Sequence, residues 1–159
     1  MALGNVSIID QNGQMLPASR PWPVAAAATA IYAGEPCKLV STYAVPSADA
    51  EPGTGTPTFL GIAASNSTQT ASVDGTVSIY TPVPGLVYAC KAKSAATIDT
   101  AAELQALIGV PVLFDLTSSQ YTVDTGATAS TSGLVIVGGD IVNGIVYFMV
   151  RSSVALGIA

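Results

Sequence analysis

The side chains that most often do chemistry in proteins are scarce and isolated in this sequence. Its 159 residues include no histidine, which excludes Ser-His-Asp and Cys-His catalytic arrangements and any metal site built on imidazole. The ten carboxylates stand singly, without the second carboxylate and aromatic sugar platform that glycoside hydrolysis would need. The sequence therefore predicts a protein that is not an enzyme and that uses no cofactor or metal.

The two cysteines, Cys37 and Cys90, are the remaining candidates for reactive groups. Each lies in a stretch with the pattern of a strand, where a thiol usually behaves as a small buried side chain. Because disulfides are uncommon in proteins assembled in the cytoplasm, we expect free thiols rather than a disulfide. Two thiolates also fall short of the four ligands of a structural zinc site.

The first residues predict a small hairpin. Val6 to Asp10 and Met15-Leu16 are short apolar segments, and Asn12-Gly13 between them suits a type I′ turn. Asp10 to Gly13 also has some ligands of a calcium loop, but the bidentate Glu that should follow is missing. We therefore favour the turn over a calcium site.

Four consecutive residues are the candidates for binding a partner: Arg20, Pro21, Trp22 and Pro23. The prolines of this segment prevent a helix and leave few backbone donors, so residues 1 to 28 are predicted to form an extended arm whose removal leaves the body folded. Tryptophan is enriched at interface hot spots, which favours an anchor in a neighbouring subunit. The alternative is that Trp22 covers the core of its own domain.

Low charge is the main feature of the composition. Half of the residues are hydrophobic but only 9% are charged, against about 25% in ordinary soluble domains. A surface with so few charges is weakly protected against association. We therefore expect copies of the chain or a partner to cover much of it.

Charge and hydropathy argue against nucleic acid and membrane as partners. The net charge is −5, and no basic stripe is present that could neutralise phosphates. The apolar run at residues 24 to 33 is far shorter than the roughly 20 residues of a membrane span. The start also lacks the basic and apolar regions of a secretory signal, which favours a cytoplasmic product.

Residues 29 to 159 are predicted to form one mainly β domain, because the chain is too short for two well-cored domains unless they share a sheet. Pro57 to Tyr80 is its organising stretch. Two apolar segments flank a polar loop at residues 66 to 74, and the second alternates apolar and polar residues as a half-buried strand does. Further strands are expected around Cys37 to Val40, at Leu86 to Lys93 and in a hairpin from Val112 to Val123, with loops at 47 to 56 and 124 to 132.

One short helix is predicted at residues 101 to 108. Thr100 and Glu103 form a capping box, and Gly109 stands at the position that ends a helix. Leu104, Leu107 and Ile108 are expected on one face. Together the elements predict a β-barrel or a β-sandwich, with these core residues: Leu39, Phe59, Ile62, Val77, Ile79, Val112, Phe114, Val135, Val137, Val146 and Phe148.

The strand pattern occurs twice, which predicts an internal quasi-repeat. Gly34-Glu-Pro36 and Gly109-Val-Pro111 each open an apolar strand, and 25 residues after each glycine a second apolar segment begins, at Phe59 or at Leu134. The closing strand follows 18 residues after Phe59 but 12 after Leu134, so the first copy carries an extra loop. The alternative is a chance match of two Gly-x-Pro sequences.

One order of motifs runs through residues 30 to 151. A Gly-x-Pro strand and a polar loop precede Phe-Leu-Gly-Ile-Ala and Gly-Thr-Val-Ser-Ile; a short helix, Gly-x-Pro-Val-Leu-Phe-Asp, a Tyr-Thr strand and Gly-Leu-Val-Ile-Val-Gly follow. This order resembles the small β-barrel cement or decoration proteins of tailed bacteriophage capsids, a family without a catalytic signature. Gly109, Pro111, Val112, Phe114 and Asp115 match the family's strand-opening segment, whereas the proline-rich arm and low charge depart from its pattern.

The resemblance implies a homo-oligomer, often a trimer, that binds the major capsid protein on the outside of the virion and braces capsomer junctions. The alternative function is a ligand- or carbohydrate-binding β module, such as a head fibre or adhesin domain. Sugar sites usually expose aromatic rings beside amides and carboxylates, whereas the tyrosines here mostly fall in strand patterns. The sequence therefore favours the structural protein.

Overall fold

The computed structural model describes residues 6 to 9, 18 to 53 and 58 to 156. In these ranges the chain is mainly β, as predicted, with one short α-helix and a 3-10 turn at Ala95–Thr97. The strands are β1 (Ser7–Ile9), β2 (Ser19–Val24), β3 (Pro36–Val40), β4 (Tyr43–Pro46), β5 (Phe59–Ala63), β6 (Gly75–Tyr80), β7 (Val87–Lys91), β8 (Pro111–Thr117), β9 (Gln120–Asp124), β10 (Leu134–Asp140) and β11 (Ile145–Val150). The helix is α1 (Ala101–Leu107).

The strands form two antiparallel sheets in a sandwich-like arrangement. One sheet has the order β1-β7-β11-β10-β8-β9 and the other β2-β6-β5-β3-β4. The first is strongly curled, since Ala92, just beyond β7, forms an isolated bridge with Val123 of β9. Neither sheet closes into a barrel in the described residues, so the sandwich is the correct one of the two architectures that the sequence leaves open.

The sheet topology supports the predicted internal repeat. When β2 to β6 are matched in chain order with β7 to β11, both sets have the same strand order and the same antiparallel neighbours. The predicted extra loop is also present, because residues 64 to 74 join β5 to β6 whereas residues 141 to 144 join β10 to β11. Strand β1 has no counterpart and adds to the outer side of β7.

The turn that opens each copy is nearly the same in both. Gly34 and Gly109 have φ angles of 88° and 84°, a region that glycine enters at little cost. The next residue closes the turn in each case: the N–H of Glu35 donates to Tyr32 O at 3.1 Å, and that of Val110 donates to Leu107 O at 3.0 Å. The two copies therefore share this turn, which precedes β3 in one sheet and β8 in the other.

One detail of the predicted repeat is wrong. Ala63 N donates to Glu35 O at 2.9 Å, and Ile136 N donates to Val110 O at 3.2 Å, so Ala63 and Ile136 occupy equivalent places. The equivalence of Phe59 with Leu134 is consequently off by two residues. The reason is that apolar segments carry no mark of register within themselves.

Each sheet has its own apolar core, and β5 contributes to both. Phe59 and Ile62 belong to the larger core, and Leu60 and Ala63 to the smaller one. All five residues of the strand are buried. In a regular strand Phe59 and Ile62 would point to opposite sides of the sheet. They reach the same core because a bulge against β3 lies between them, and Gly61 at this bulge has a φ of 139°. The halves therefore share one strand, which is how so short a chain builds two cores.

The larger core is aromatic at its centre. Tyr88 stacks on Phe148 with centroids 5.6 Å apart, and Phe114 meets Phe148 edge to face at 5.5 Å. Of the predicted core residues, eight are buried, and they are Phe59, Ile62, Val77, Ile79, Val112, Phe114, Val146 and Phe148. Leu39 is partly buried against the smaller core.

The prediction for β10 chose the wrong face. Val135 and Val137 are only half-buried, whereas Leu134 and Ile136 are completely buried. Four consecutive apolar residues contain no alternation from which the inward face could be read. The pairing with β11 and β8 decides the face instead.

The helix prediction is confirmed, apart from one residue of its face. Glu103 N donates to Thr100 Oγ1 at 3.3 Å, and Thr100 N donates to Glu103 Oε2 at 3.1 Å, which completes the capping box. Leu107 packs against the larger core. Ile108, expected beside it, is 46% exposed because the helix has already ended there.

The expectation of a separate arm over residues 1 to 28 is not met in the described residues. β2 pairs with β6 along its six residues, and β1 pairs with β7. Val6 and Val24 are buried in the two cores. Removing residues 1 to 28 would therefore unfold part of the sandwich. The predicted Asn12-Gly13 turn lies outside the described residues.

The two ends of the described chain cross over to the opposite halves. The N-terminal β1 lies on the second sheet copy, against β7. Near the other end, Phe59 N donates to Val154 O and Leu156 N donates to Phe59 O, both at 2.9 Å. Each copy is therefore completed by a segment that does not belong to it.

Gly61 provides a test of the shared strand. A Cβ at this position would collide with the backbone carbonyl of Tyr80 and with Ile79, so Gly61→Ala should lower the free energy of unfolding by about 3 kcal/mol or more. Urea denaturation measures this. Gly85→Ala is the matched control, because Gly85 has a φ of 80° but open space around it, and should cost only about 1 kcal/mol. Equal effects would show that β5 tolerates a displaced bulge.

Candidate functional site

The four predicted partner-binding residues lie together on the edge strand β2. Arg20 stands opposite Ile79 and Trp22 opposite Val77 on β6. Arg20, Pro21 and Pro23 are exposed, while Trp22 is half-buried against the smaller core. Trp22 thus covers the core of its own domain, the alternative that the sequence left open, and still presents part of its ring to solvent.

The prolines shape the outer edge of this strand. Proline cannot donate to a sheet ladder, so Pro21 and Pro23 must stand where the backbone of β2 faces away from β6. The sheet curls so that this edge comes close to β4, the strand at its other end, without pairing with it. A partner would therefore contact β2 through its exposed side chains, not by extending the sheet.

Two polar groups on β2 have no protein partner. Arg20 forms no hydrogen bond or ion pair with the residues that the structure describes. The indole Nε1 of Trp22 is shielded from solvent and also lacks an acceptor among them.

The polar loop at residues 64 to 74 has a structural role that its composition does not predict. Ile31 N donates to Ser67 Oγ at 2.9 Å, Ala33 N to Asn66 Oδ1 at 3.0 Å, and Ala26 N to Asp74 Oδ1 at 2.7 Å. These side chains supply acceptors to a segment with no sheet partner. The loop is therefore tied to its own half and is less available to a partner than its length suggests.

The contact between the two halves, here called the seam, is a set of hydrogen bonds between residues 47 to 53 and the second half. Ala50 N donates to Phe114 O at 3.0 Å, and Phe114 N donates to Glu51 O at 2.7 Å. Leu116 N donates to Asp49 Oδ1 at 3.0 Å. The predicted loop at 47 to 56 thus behaves, over its described residues, as an extra segment against β8.

A cleft of about 270 Å³, the seam pocket, opens beside these hydrogen bonds. It lies between the halves, since its walls come from both copies of the repeat. Its lining includes Tyr32, Glu35, Pro46, Leu116, Ser119 and Tyr121. Tyr121 anchors one wall, because its hydroxyl donates to Ser47 O at 2.5 Å.

Glu35 is the unusual residue of the seam pocket. It is only 1% exposed, and its Oε2 accepts from Tyr32 N at 2.9 Å. No lysine or arginine among the described residues forms an ion pair with it. Burial raises the pKa of the Glu35 carboxyl, and the hydrogen bond from Tyr32 offsets this in part. The sequence analysis missed this residue, although its place in the first copy is taken by Val110 in the second.

The other buried carboxylate has the partner that Glu35 lacks. Asp115 Oδ1 lies 2.8 Å from Lys93 Nζ, which also contacts Asp124 Oδ2 at 2.9 Å. Thr117 Oγ1 donates to Asp115 Oδ2 at 2.8 Å. The hydrogen bond from Lys93 lowers the pKa of Asp115 despite its burial. The fold therefore compensates one buried carboxylate fully and the other only through a backbone N–H.

Neither cysteine offers reactive chemistry. Cys37 and Cys90 are free and buried, as predicted. Burial raises the pKa of each thiol to about 12, so the nucleophilic thiolate is scarce at neutral pH. Within the described ranges no group of three or more Cys, Asp and Glu side chains could hold a metal ion. The same ranges contain no helix with the length and hydropathy of a membrane span.

The two buried tyrosines give a test of the seam. Tyr121→Phe should lower the free energy of unfolding by about 1 to 3 kcal/mol, because it leaves the buried Ser47 carbonyl without its donor. Tyr88→Phe is the matched control, since the Tyr88 hydroxyl is buried without a partner in the described chain. It should leave stability unchanged or raise it. Urea titrations measure the free energy of unfolding of both variants. A larger decrease for Tyr88→Phe than for Tyr121→Phe would contradict the seam geometry.

The Lys93 ion pairs predict a dependence of stability on pH. Lys93→Gln should lower the urea midpoint at pH 7, where Asp115 and Asp124 are ionised. Because the pKa of each carboxyl is lower in the folded state than in the unfolded one, this stabilisation is lost as the pH falls through the folded-state values. The difference between variant and wild type should therefore vanish in acid. Lys91→Gln, at an exposed lysine without an ion pair among the described residues, should show no such difference at either pH.

Comparisons with protein-family models, with curated proteins and with solved structures each give no significant match to this chain. Its function is therefore inferred from its own residues and geometry.

Proposed function

We propose that this chain is a structural virion protein that binds the outer surface of a tailed-phage capsid as a homotrimer and stabilises the junctions between capsomers. The partners are the major capsid protein and further copies of the chain. The proposal starts from the order of motifs at residues 30 to 151. It involves neither catalysis nor a cofactor.

The observation that carries this proposal is the composition of the exposed edge strand β2. Arg20 is exposed and without a partner in the described residues, and Trp22 presents part of a large ring beside it. Tryptophan and arginine are the residues most enriched at interface hot spots. Because β4 already lies beside the outer edge of β2, a partner would contact this strand through these exposed side chains.

The architecture suits a protein that braces other proteins. The two halves share the buried strand β5 and are joined along the seam. A body of this kind transmits a load between two contact points without a flexible linker. With only 9% charged residues, its interfaces would rest on apolar area and backbone hydrogen bonds, which salt does not screen.

The ligand-binding alternative receives less support from the geometry. The seam pocket does place Tyr32 and Tyr121 beside Glu35. However, Tyr121 is 1% exposed and its hydroxyl is already bonded to Ser47. A sugar would find no open aromatic platform there, so a carbohydrate module is the weaker proposal.

Assembly and docking can be tested together. Native mass spectrometry should find a trimer that persists in high salt, and cryo-electron microscopy should find density outside the capsid only in particles assembled with the chain. A monomer in both measurements would contradict the proposed trimer. The same capsid density with and without the chain would contradict the capsid role.

Arg20→Ala and Trp22→Ala examine the edge strand. Trp22→Ala should weaken capsid binding by about 2 kcal/mol or more if Trp22 is a hot spot. Because Trp22 also packs on the smaller core, the melting temperature of the Trp22→Ala variant must be measured together with its capsid binding. Arg20→Ala avoids this complication and should weaken binding without altering melting. Val142→Ala is the control, because this side chain is 87% exposed in the turn between β10 and β11. It should change neither capsid binding nor the melting temperature. Normal capsid binding by Arg20→Ala and Trp22→Ala would move the attachment surface away from β2.

A further inference from the structure

Glu35 is a buried carboxylate whose charge has little compensation in the described residues. An ionised carboxylate shielded from water requires a cation or several hydrogen bonds to compensate its lost hydration. Asp115 has both, through Lys93 and Thr117. Glu35 has one backbone N–H, from Tyr32. Burial raises the pKa of its carboxyl accordingly.

The internal repeat shows what this position requires for folding. Val110 takes the place of Glu35 in the second copy and makes the same turn, with its N–H on the carbonyl three residues earlier. Its side chain is apolar and packs against the larger core. The turn and the strand that follows therefore form without a carboxylate in the second copy, where Leu107 lies in α1; in the first copy Glu35 accepts from Tyr32 N but leaves most of its charge uncompensated.

The seam pocket beside Glu35 is open and partly apolar. Leu116 and Pro46 supply aliphatic surface, and Tyr32 supplies an aromatic ring. At about 270 Å³ it is slightly smaller than the usual pocket for a drug-sized ligand, and it suits a single long side chain better. An extended methylene chain would meet apolar walls and end at the carboxylate.

We propose that the seam pocket receives the ammonium group of a lysine side chain from a partner protein, with Glu35 as its counter-ion. This proposal does not depend on the capsid role, because it follows from the charge and shape of the pocket alone.

The free capacity of Glu35 favours lysine over arginine. Guanidinium groups bind carboxylates best through two parallel hydrogen bonds. Glu35 Oε2 already accepts from Tyr32 N, so one of the two bonds of a guanidinium would have to share this oxygen with that N–H. An ammonium group is a point charge that one oxygen can satisfy.

The source of this lysine is a different protein. Of the three lysines in the chain, Lys38 is held by Glu51 at 2.6 Å and Lys93 by Asp115 and Asp124. The net charge of −5 also makes the chain attractive to a basic partner. Lys91 of a second copy is the competing source, and the effect of Lys91→Gln on the homo-oligomer distinguishes it from a lysine of a different protein.

The probes are the blocked tripeptide Gly-Lys-Gly, its form with an acetylated lysine, and blocked Gly-Arg-Gly. Binding to the full chain is followed by the chemical shifts of the backbone amides of Tyr32 and Leu116. The lysine peptide should shift both amides in a saturable way, and the acetylated peptide, which lacks the charge, should bind at least about tenfold more weakly. Equal binding of the two forms would mean that the pocket recognises only apolar surface and would overturn the proposal.

Two substitutions separate a binding role from a structural one. Glu35→Gln keeps an acceptor for Tyr32 N but removes the charge, and should lower affinity for the lysine peptide at least about tenfold. Glu35→Val introduces the residue of the second copy, and should abolish binding while the urea midpoint falls by no more than the loss of the single hydrogen bond from Tyr32 N accounts for. A large fall in stability for Glu35→Val would show that Glu35 is a turn cap, which overturns the proposal. Asp99→Asn, at an exposed carboxylate outside the pocket lining, is the control and should bind normally.

Two further results would also count against the proposal. Tighter binding of the arginine peptide would contradict the choice of lysine. A homo-oligomer that dissociates on both Glu35→Gln and Lys91→Gln would assign the pocket to a second copy instead of a different protein. An oligomer unaffected by either change, together with charge-dependent peptide binding, supports the proposal whether or not the chain is found on capsids.

Discussion

The structure depends on one strand that has no solvent-facing side. Strand β5 places Phe59 and Ile62 in one core and Leu60 and Ala63 in the other. A regular strand would alternate faces without interruption, and the bulge at Gly61 lets the chain change phase in the middle of five residues. Neither core is complete without this strand. The two halves therefore cannot separate without exposing apolar surface on both, which couples their folding.

The two copies of the repeat show which parts of the chain are set by the fold and which are not. The strand order and the glycine turn are the same in both, so they are requirements of the sheet. The copies differ at the loop of residues 64 to 74, at β1 and at Glu35, where the first copy has a carboxylate in place of Val110. The loop and β1 have structural explanations in their own hydrogen bonds, whereas the weakly compensated charge of Glu35 is the difference that bears most on function.

Local signals in the sequence predict local structure well here. The Thr100 and Glu103 capping box, the alternation through Val77 and Ile79, and the Val112 to Val123 hairpin each depend on neighbours along the chain, and the structure has all three. The predictions that failed depend on distant contacts. The proline content of the N-terminal segment indicated a free arm because proline disfavours a helix, but it is equally compatible with an edge strand once β6 is present to pair with it. The sequence gives no sign that Glu35 is buried, since burial is decided by residues far away in the chain. Its mismatch with Val110 is visible in the sequence, but only after the copies are aligned.

The exchange of terminal segments between the halves has a consequence for how such a protein can be divided. Because β1 completes the second copy and the stretch around Ala155 completes the first, a break in the connection between β6 and β7 leaves each fragment holding a piece of the other. The fragments are thus partners by construction, suited to reconstitution as a split protein.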